Sequence, residues 1–292
     1  GALVYSTLLG GSSVDVPASL AVDTDGAALV AGKSYSADFP FTAGTAAGLG
    51  CFAARLDANG HLVFVAALGP APPERFPGDS APPVAAIPAR DGGAWVTGPE
   101  GRLLRLDAAG GVAESRVLCE HCTAHALAAG ADGGLYVAGT TSAADFPATP
   151  GTYRSGVRSA LCSLGRLYGV EAGDLFVMKF APGETAPEFR ALLGADCRTY
   201  PDAMLVDAEG RMTLSGATLA AAFPTRRPLL GGAVPNVFTG VVLQWSAGAR
   251  DLLFSTYTEL YSAAPGIAPA RDGALYIGAQ RVDLSPLPGL RL

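Results

Sequence analysis

Four of the five cysteines lie between residues 119 and 197, and their spacing is the sharpest chemical signal in the sequence. Cys119 and Cys122 form a Cys-x-x-Cys pair, and Cys162 and Cys197 follow it. In an oxidising compartment thiols pair as disulfides, so we expect two disulfides among these four residues. Three pairings are possible, and the sequence does not choose among them. Cys51 stands apart and is interpreted as a small buried apolar residue.

A zinc site is the alternative chemistry for this region. Thiolate and imidazole are the ligands that tetrahedral zinc prefers, and the candidate ligands would be Cys119, Cys122, His125, Cys162 and Cys197. A strong zinc pattern would contain a second Cys-x-x-Cys, so we prefer disulfides and predict no metal. The phosphate-binding, nucleophile-elbow and zinc-protease motifs are missing from the sequence, and we predict no cofactor.

Carboxylates could do acid–base chemistry, since glycosidases use two of them about 5–10 Å apart. The candidates by position are Asp23, Asp25, Asp38, Asp145, Asp174, Asp202 and Asp207. Most of them lie at turns or strand edges, where aspartate is favoured because its carboxylate accepts backbone hydrogen bonds. We therefore interpret them as structural and assign no catalytic residue.

The segment 153–173 differs from the rest of the chain because basic residues alternate with apolar ones. The spacing of its leucines predicts a short amphipathic helix. A basic and apolar patch on an acidic protein is a place for a partner to dock. The candidate partner-binding residues are Arg154, Arg158, Leu161, Leu164, Arg166, Leu167 and Tyr168.

The composition of the chain limits the classes of partner that we expect. The formal charge is −6, whereas a nucleic-acid partner would require a clustered basic face, so we expect none. No run of eighteen or more uncharged apolar residues is present, and we predict no transmembrane segment. Only 16% of the residues are charged, which favours a protein partner. Gly1 is followed directly by strand-like sequence, which is consistent with a mature N-terminus after signal cleavage or with the start of an excised segment.

The elements that must position these residues are repeated. The phrase Ala37-Asp38-Phe39-Pro40 returns at 144–147, and a worn copy lies at 221–224. An acidic residue followed by glycine recurs at 25–26, 91–92, 132–133, 209–210 and 272–273, between short β-prone runs. Each pair predicts a two-residue hairpin turn. A second hairpin follows in four of the units, so a full unit contains four antiparallel strands.

Tandem four-stranded units predict an all-β fold, a β-propeller. We place the units at 11–69, 70–118, 119–195, 196–260 and 261–292 of one domain, 1–292. The segment Leu3–Leu9 has the pattern of an outer strand and could complete the last blade, which would remove the open edges. Five blades closed in this way is the predicted architecture; the alternative is a fragment of a larger propeller.

Three phrases carry a resemblance to a known family: Leu-Val-Tyr-Ser-Thr-x-Leu-Gly-Gly-Ser at 3–12, Ala-Val-Asp-x-Asp-Gly at 21–26, and Ala-Asp-Phe-Pro at 37–40 and 144–147. They resemble the bacterial SBBP β-propeller repeat. The resemblance implies a secreted or cell-surface bacterial propeller, and it supplies no catalytic residues.

From these observations we predict a non-catalytic exported propeller that acts as a protein-interaction module or structural subunit of an extracellular or envelope assembly. The expected location is secreted, periplasmic or at the cell surface. The alternative function is a carbohydrate-binding or glycoside-hydrolase propeller, which would need paired carboxylates and aromatic residues near its channel. Trp95 and Trp245, the two tryptophans, both fall in predicted strands.

Overall fold

A computed structural model describes residues 2–44, 50–70, 84–155, 173–230, 232, 238–258, 266–269 and 275–277. The predicted all-β class is confirmed, because these residues form four antiparallel sheets of four strands and a two-stranded hairpin. The helical elements among them are two short 3-10 turns, at Pro99–Gly101 and Ala247–Ala249. Within the described ranges no helix is long and apolar enough to cross a membrane.

The four sheets follow one another along the chain as blades one to four of a propeller. Blade one contains β1 (Asp15–Val22), β2 (Ala28–Ser34), β3 (Gly50–Leu56) and β4 (Leu62–Gly69). Blade two contains β5 (Ala86–Pro88), β6 (Ala94–Gly98), β7 (Arg102–Leu106) and β8 (Val112–Val117). Blade three contains β9 (Cys122–Ala129), β10 (Leu135–Thr141), β11 (Asp174–Phe180) and β12 (Phe189–Leu193). Blade four contains β13 (Thr199–Val206), β14 (Met212–Thr218), β15 (Thr239–Trp245) and β16 (Leu252–Tyr257). The fifth-unit hairpin contains β17 (Ile267–Pro269) and β18 (Leu275–Ile277).

The acidic-glycine turns are one residue longer than predicted. In blade one the Asp23 N–H donates to Ala27 O at 2.9 Å and the Gly26 N–H donates to Asp23 O at 3.1 Å, which makes a three-residue turn. Only its last residue, Gly26, has a positive φ, at +79°. The two-residue turn was therefore wrong; in blade one the Asp23 carboxylate accepts two backbone N–H groups and stabilises the longer loop.

The blades are held together by apolar side chains from facing sheets. Each blade has a leading face, toward the blade before it, and a trailing face, toward the blade after it. Between blades three and four the core combines residues such as Tyr136 and Leu175 with Met204 and Trp245. Similar cores lie between blades one and two and between blades two and three. Consecutive blades also contact each other through their first strands, as β9 does with β13. A blade therefore buries its faces only with its neighbours.

Three of the first strands contain a bulge at the same position. The extra residue is Ala18 in β1, His125 in β9 and Asp202 in β13, where the register against the second strand shifts. A bulge re-aims one side chain out of the regular alternation. The same bulge thus places a methyl group in blade one, an imidazole in blade three and a carboxylate in blade four at equivalent positions.

The two ends of the described chain bear on the predicted closure. Residues 3–9 pair with none of the described strands, and their Tyr5 ring lies over Gly60, where an added Cβ would come within 2.5 Å. The fifth-unit hairpin packs beside β13 of blade four. Closure of a fifth blade by the N-terminal segment therefore stays a prediction.

Candidate functional site

The cysteines lie in the connections that enter blades three and four. Cys119 and Cys122 are joined by a disulfide with a Cα–Cα distance of 5.5 Å, and Cys122 is the first residue of β9. Cys197 is also disulfide-bonded and lies between β12 and β13, whereas Cys162 is outside the described residues. Cys51 is a free thiol in the core between blades one and two, where burial raises its pKa. Disulfide-bonded cysteines thus lie in both of the connections that enter blades three and four.

The ligands of the zinc alternative are engaged elsewhere. The sulfurs of Cys119 and Cys122 are bonded to each other. His125 is buried in β9, with Nε2 3.1 Å from Thr140 Oγ1 and its ring stacked on Tyr200 at a centroid distance of 6.1 Å. Burial and the nearby Arg198 charge lower its pKa to about 3, so the imidazole is neutral. Among the described residues no group of three or more metal-ligating side chains comes together.

The insertion at 153–173 starts from a stem held at the junction of blades three and four. Thr149 exchanges backbone hydrogen bonds with Arg190 through its own N–H and side chain, both at 2.9 Å. The Tyr153 N–H donates to Ala249 O at 2.6 Å, and the Tyr153 ring packs on the core between these blades. Arg154 is exposed beside Leu192 of β12. The other candidates, Arg158, Leu161, Leu164, Arg166, Leu167 and Tyr168, lie outside the described residues.

The repeated Asp-Phe-Pro phrase is part of the scaffold. Its phenylalanines are all buried, with ring centroids 4.7 Å apart for Phe39 and Phe52, 5.6 Å for Phe146 and Phe176, and 5.8 Å for Phe223 and Tyr257. Each ring therefore closes one end of its own blade.

In blade one the aspartate of the phrase ties two loops together, and blade four makes the tie in reverse. Asp38 Oδ1 accepts the Ser12 N–H at 2.7 Å and the Ser12 hydroxyl at 2.8 Å, joining the entry loop of blade one to its second connection. In blade four the phrase has Ala222 instead, and Asp196 of the entry loop accepts the Ala222 N–H at 3.0 Å. The same joint is thus kept when its carboxylate changes sides.

The other candidate carboxylates take several places in the scaffold. Asp23 and Asp207 close hairpin turns, where Asp23 also pairs with Arg55. Asp174 is buried at the start of β11, and Asp202 is the bulge residue of β13. Asp25 and Asp145 are exposed. Asp23, Asp207 and Asp202 thus occupy turn and bulge positions at which aspartate is common for structural reasons.

The pKa values of two candidate carboxylates, Asp23 and Asp38, are shifted in the direction opposite to that of a general acid. Hydrogen bonds donated by the Ser12 backbone and side chain lower the pKa of Asp38. For Asp23, desolvation raises the pKa, but the N–H groups of Ala27 and Asp25 and the Arg55 charge outweigh it, and the net shift is downward. The pKa values of Asp15, Asp57, Asp91, Glu114 and Asp132 are also shifted downward. A glycosidase acid requires an upward shift.

One surface was missed from the sequence, the leading face of β1. Pro17, Leu20 and Val22 are exposed there, although their types are those of a buried strand. The only sequence signal was the similarity of β1 to the first strands of the other units, and that similarity predicts burial.

Comparison with known families addresses the repeat itself. Residues 4–40 match the family model of the SBBP β-propeller repeat. That segment is thus similar to an SBBP β-propeller repeat. The matched residues include β1, β2 and the first Asp-Phe-Pro phrase, so the resemblance seen in the sequence is confirmed there. A search of the curated proteins found no match.

Several solved structures are similar to this SBBP-repeat chain at low identity. A catalytically inactive virginiamycin B lyase from Staphylococcus aureus, with quinupristin, is 10% identical with a TM-score of 0.48, over 92% of this chain and 65% of the lyase. BamB from Moraxella catarrhalis is 13% identical with a TM-score of 0.43, over 90% of this chain and 61% of BamB. The chain spans less than two thirds of the length of either protein. Likenesses at this level say nothing about activity or partners.

Proposed function

We propose that this SBBP-repeat propeller is a non-catalytic, exported protein that acts as an interaction module or structural subunit of an extracellular or envelope assembly. The observation that carries the proposal is the use of its polar groups. Asp23 and Asp38 are lowered in pKa, Asp207 is hydrogen-bonded into a turn, and His125 is buried and neutral. The residue types that could do chemistry are thus used to build the propeller.

Location is the second part of the proposal. The Cys119–Cys122 disulfide and the disulfide-bonded Cys197 favour an oxidising compartment, so we place the protein outside the cytoplasm. We propose Cys162 as the partner of Cys197, which would anchor the insertion to the entry loop of blade four.

The docking element in this proposal is the insertion that begins at Arg154. Its stem is tied to β12 and to the blade-four turn at Ala249, so a partner bound there would be held at a fixed place on the ring. The basic and apolar residues from Arg158 to Tyr168 would supply the contact.

The test compares capture of proteins from the envelope fraction of the source organism. We expect a partner that binds the tagged chain in fixed stoichiometry, and we expect Leu161→Glu with Leu164→Glu to weaken its binding by roughly tenfold or more. Leu229→Glu is the matched control, because Leu229 is an exposed leucine on a loop of blade four. Equal capture of the partner by both variants would contradict the docking element. Glycosidase activity that is lost when one of the candidate aspartates is substituted would contradict the non-catalytic role.

A further inference from the structure

The loop that enters blade three differs from its equivalents in the conformation of one residue. In three blades the residue before the first strand accepts a backbone hydrogen bond from the residue after the second strand. The pairs are Val14 O with the Tyr35 N–H at 2.9 Å, His121 O with the Ser142 N–H at 3.1 Å, and Arg198 O with the Leu219 N–H at 2.9 Å. Of the three acceptor residues only His121 has a positive φ, at +54°. That conformation costs free energy in a residue with a Cβ atom.

The left-handed residue lies inside the ring that the Cys119–Cys122 disulfide closes. Glu120 and His121 are the two residues between the cysteines. The equivalent loop of blade one, 10–14, contains no cysteine. The disulfide ring is also fixed against blade two, because an added Cβ at Gly101 would come within 2.4 Å of Cys122 O. The conformation that the other two loops do not use therefore occurs where a cross-link encloses the residue.

The energetics of this ring favour a bond that is readily reduced. A disulfide stabilises a fold mainly by restricting the unfolded chain, and it does so least when the loop that it closes is short. The cost of the left-handed residue His121 opposes that small gain. Disulfides that hold a strained backbone are the more easily reduced ones. The two sulfurs also differ, since Cys122 is 6% exposed in the core between blades two and three and Cys119 is only partly buried at its edge.

We propose that the Cys119–Cys122 disulfide is a reversible redox site that reacts with dithiols. A thiolate of the dithiol attacks Sγ of Cys119, the Sγ–Sγ bond breaks, and its electron pair goes to Sγ of Cys122, which takes up a proton. The second thiolate of the dithiol then displaces Sγ of Cys119, which is also protonated. The protein gains two electrons and two protons, and the dithiol is oxidised to a disulfide.

Reduction lets His121 leave the left-handed region and take the backbone conformation of its equivalents, Val14 and Arg198. The entry loop of blade three thus has one conformation when it is oxidised and another when it is reduced. The site does not include the docking residues from Arg158 to Tyr168, so it goes beyond the proposed function and does not depend on it.

A redox titration of the purified full chain tests the proposal. The chain is equilibrated with mixtures of reduced and oxidised dithiothreitol, alkylated, and mapped by mass spectrometry, while circular dichroism monitors folding. We expect Cys119 and Cys122 to be half alkylated at a ratio of reduced to oxidised reagent at least tenfold lower than Cys197, which is also disulfide-bonded. Alkylation of Cys119 and Cys122 only together with Cys197, or only when the chain unfolds, would overturn the proposal.

Two glycine variants test whether the backbone of His121 is the cause. His121→Gly removes the cost of the left-handed conformation in the oxidised state, so the variant should require a ratio of reduced to oxidised dithiothreitol roughly fivefold or more higher. Glu120→Gly is the matched control, because Glu120 lies in the same ring without a positive φ and its replacement gives the reduced loop a similar gain in freedom. Equal ratios for the two variants would show that His121 does not relax on reduction, and the proposal would be wrong.

Discussion

The first strands of blades one and four have nearly the same pattern, yet their leading faces meet different surroundings. On β13, Pro201 and Met204 are buried against blade three. On β1, the equivalent Pro17 and Leu20 lie in solvent. An apolar strand in a repeat protein is therefore buried by its neighbour and not by its own sequence.

The largest expected effect on stability distinguishes Met204, which is buried between blades three and four, from Leu20, which is exposed on β1. Met204→Ala should lower the free energy of unfolding by about 3 kcal/mol, because it leaves a cavity in a packed core. Leu20→Ala should change it by less than about 1 kcal/mol at concentrations where the chain is monomeric, since little buried area is lost. Urea denaturation of both variants measures the difference. Equal losses would show that Leu20 is covered within the chain.

Acid should weaken the packing between blades three and four through His125, the bulge residue of β9. The folded pKa of His125, about 3, is below its usual value of 6.5, so its contribution to stability is fully present above pH 6.5 and is lost as the pH falls toward 3. The slope should reach about 1.4 kcal/mol per pH unit, because the unfolded chain binds one proton more. Blade one has Ala18 at this position and should add no such term.

The matched variants for this prediction are His125→Gln and His121→Gln, followed by urea denaturation from pH 7 to pH 4. Only His125→Gln should flatten the profile, since His121 is exposed on the entry loop. An unchanged slope in His125→Gln would mean that another group takes up the proton.

A smaller effect should come from the disulfide on the entry loop of blade three. Replacing Cys119 and Cys122 together by serine should lower the free energy of unfolding by about 2 kcal/mol, the amount expected for a cross-link that closes a short loop. The measurement is thermal and urea unfolding of the variant and the parent under non-reducing conditions. Cys51→Ser is the control, because Cys51 forms no disulfide. A larger loss of unfolding free energy in Cys51→Ser than in the double variant would show that the Cys51 thiol, in the core between blades one and two, contributes more to stability than the disulfide.

The smallest effect should come from the loop tie of blade one. Asp38→Ala removes the acceptor for the Ser12 N–H and hydroxyl and should lower the melting temperature less than loss of the disulfide does. Because the pKa of Asp38 is lowered in the folded state, its contribution is present above the usual value of 3.8 and is lost as the pH falls below it. Asp196→Ala should have a similar effect in blade four, where the tie is reversed. Melting scans at pH 7 and pH 3 compare each variant with the parent. A loss in melting temperature that persists at pH 3 would argue against a stabilising role of the ionised carboxylate.

Much of the blade structure could be predicted from local sequence. Alternating apolar runs such as Leu135–Thr141 and the glycines at the turns predicted strands and hairpins, since both depend on neighbouring residues only. The turn length was wrong by one residue: the three-residue turn forms at Asp23, where the carboxylate accepts two backbone N–H groups, and also at Ala89 and Gly130. The partner-binding insertion stays a prediction beyond its stem, because Leu161 and its neighbours lie outside the described residues.

The order of the strands, the scaffold role of the Asp-Phe-Pro phrase and the all-β class were determined by the sequence alone, because period, turn residues and repetition are local properties of the chain. Only the tertiary structure decided that Cys119 pairs with Cys122, that Asp196 replaces Asp38 in its loop tie, and that Leu20 is exposed where Met204 is buried. Each of these depends on which segments meet in space, and the similar first strands of two blades do not encode what packs against them.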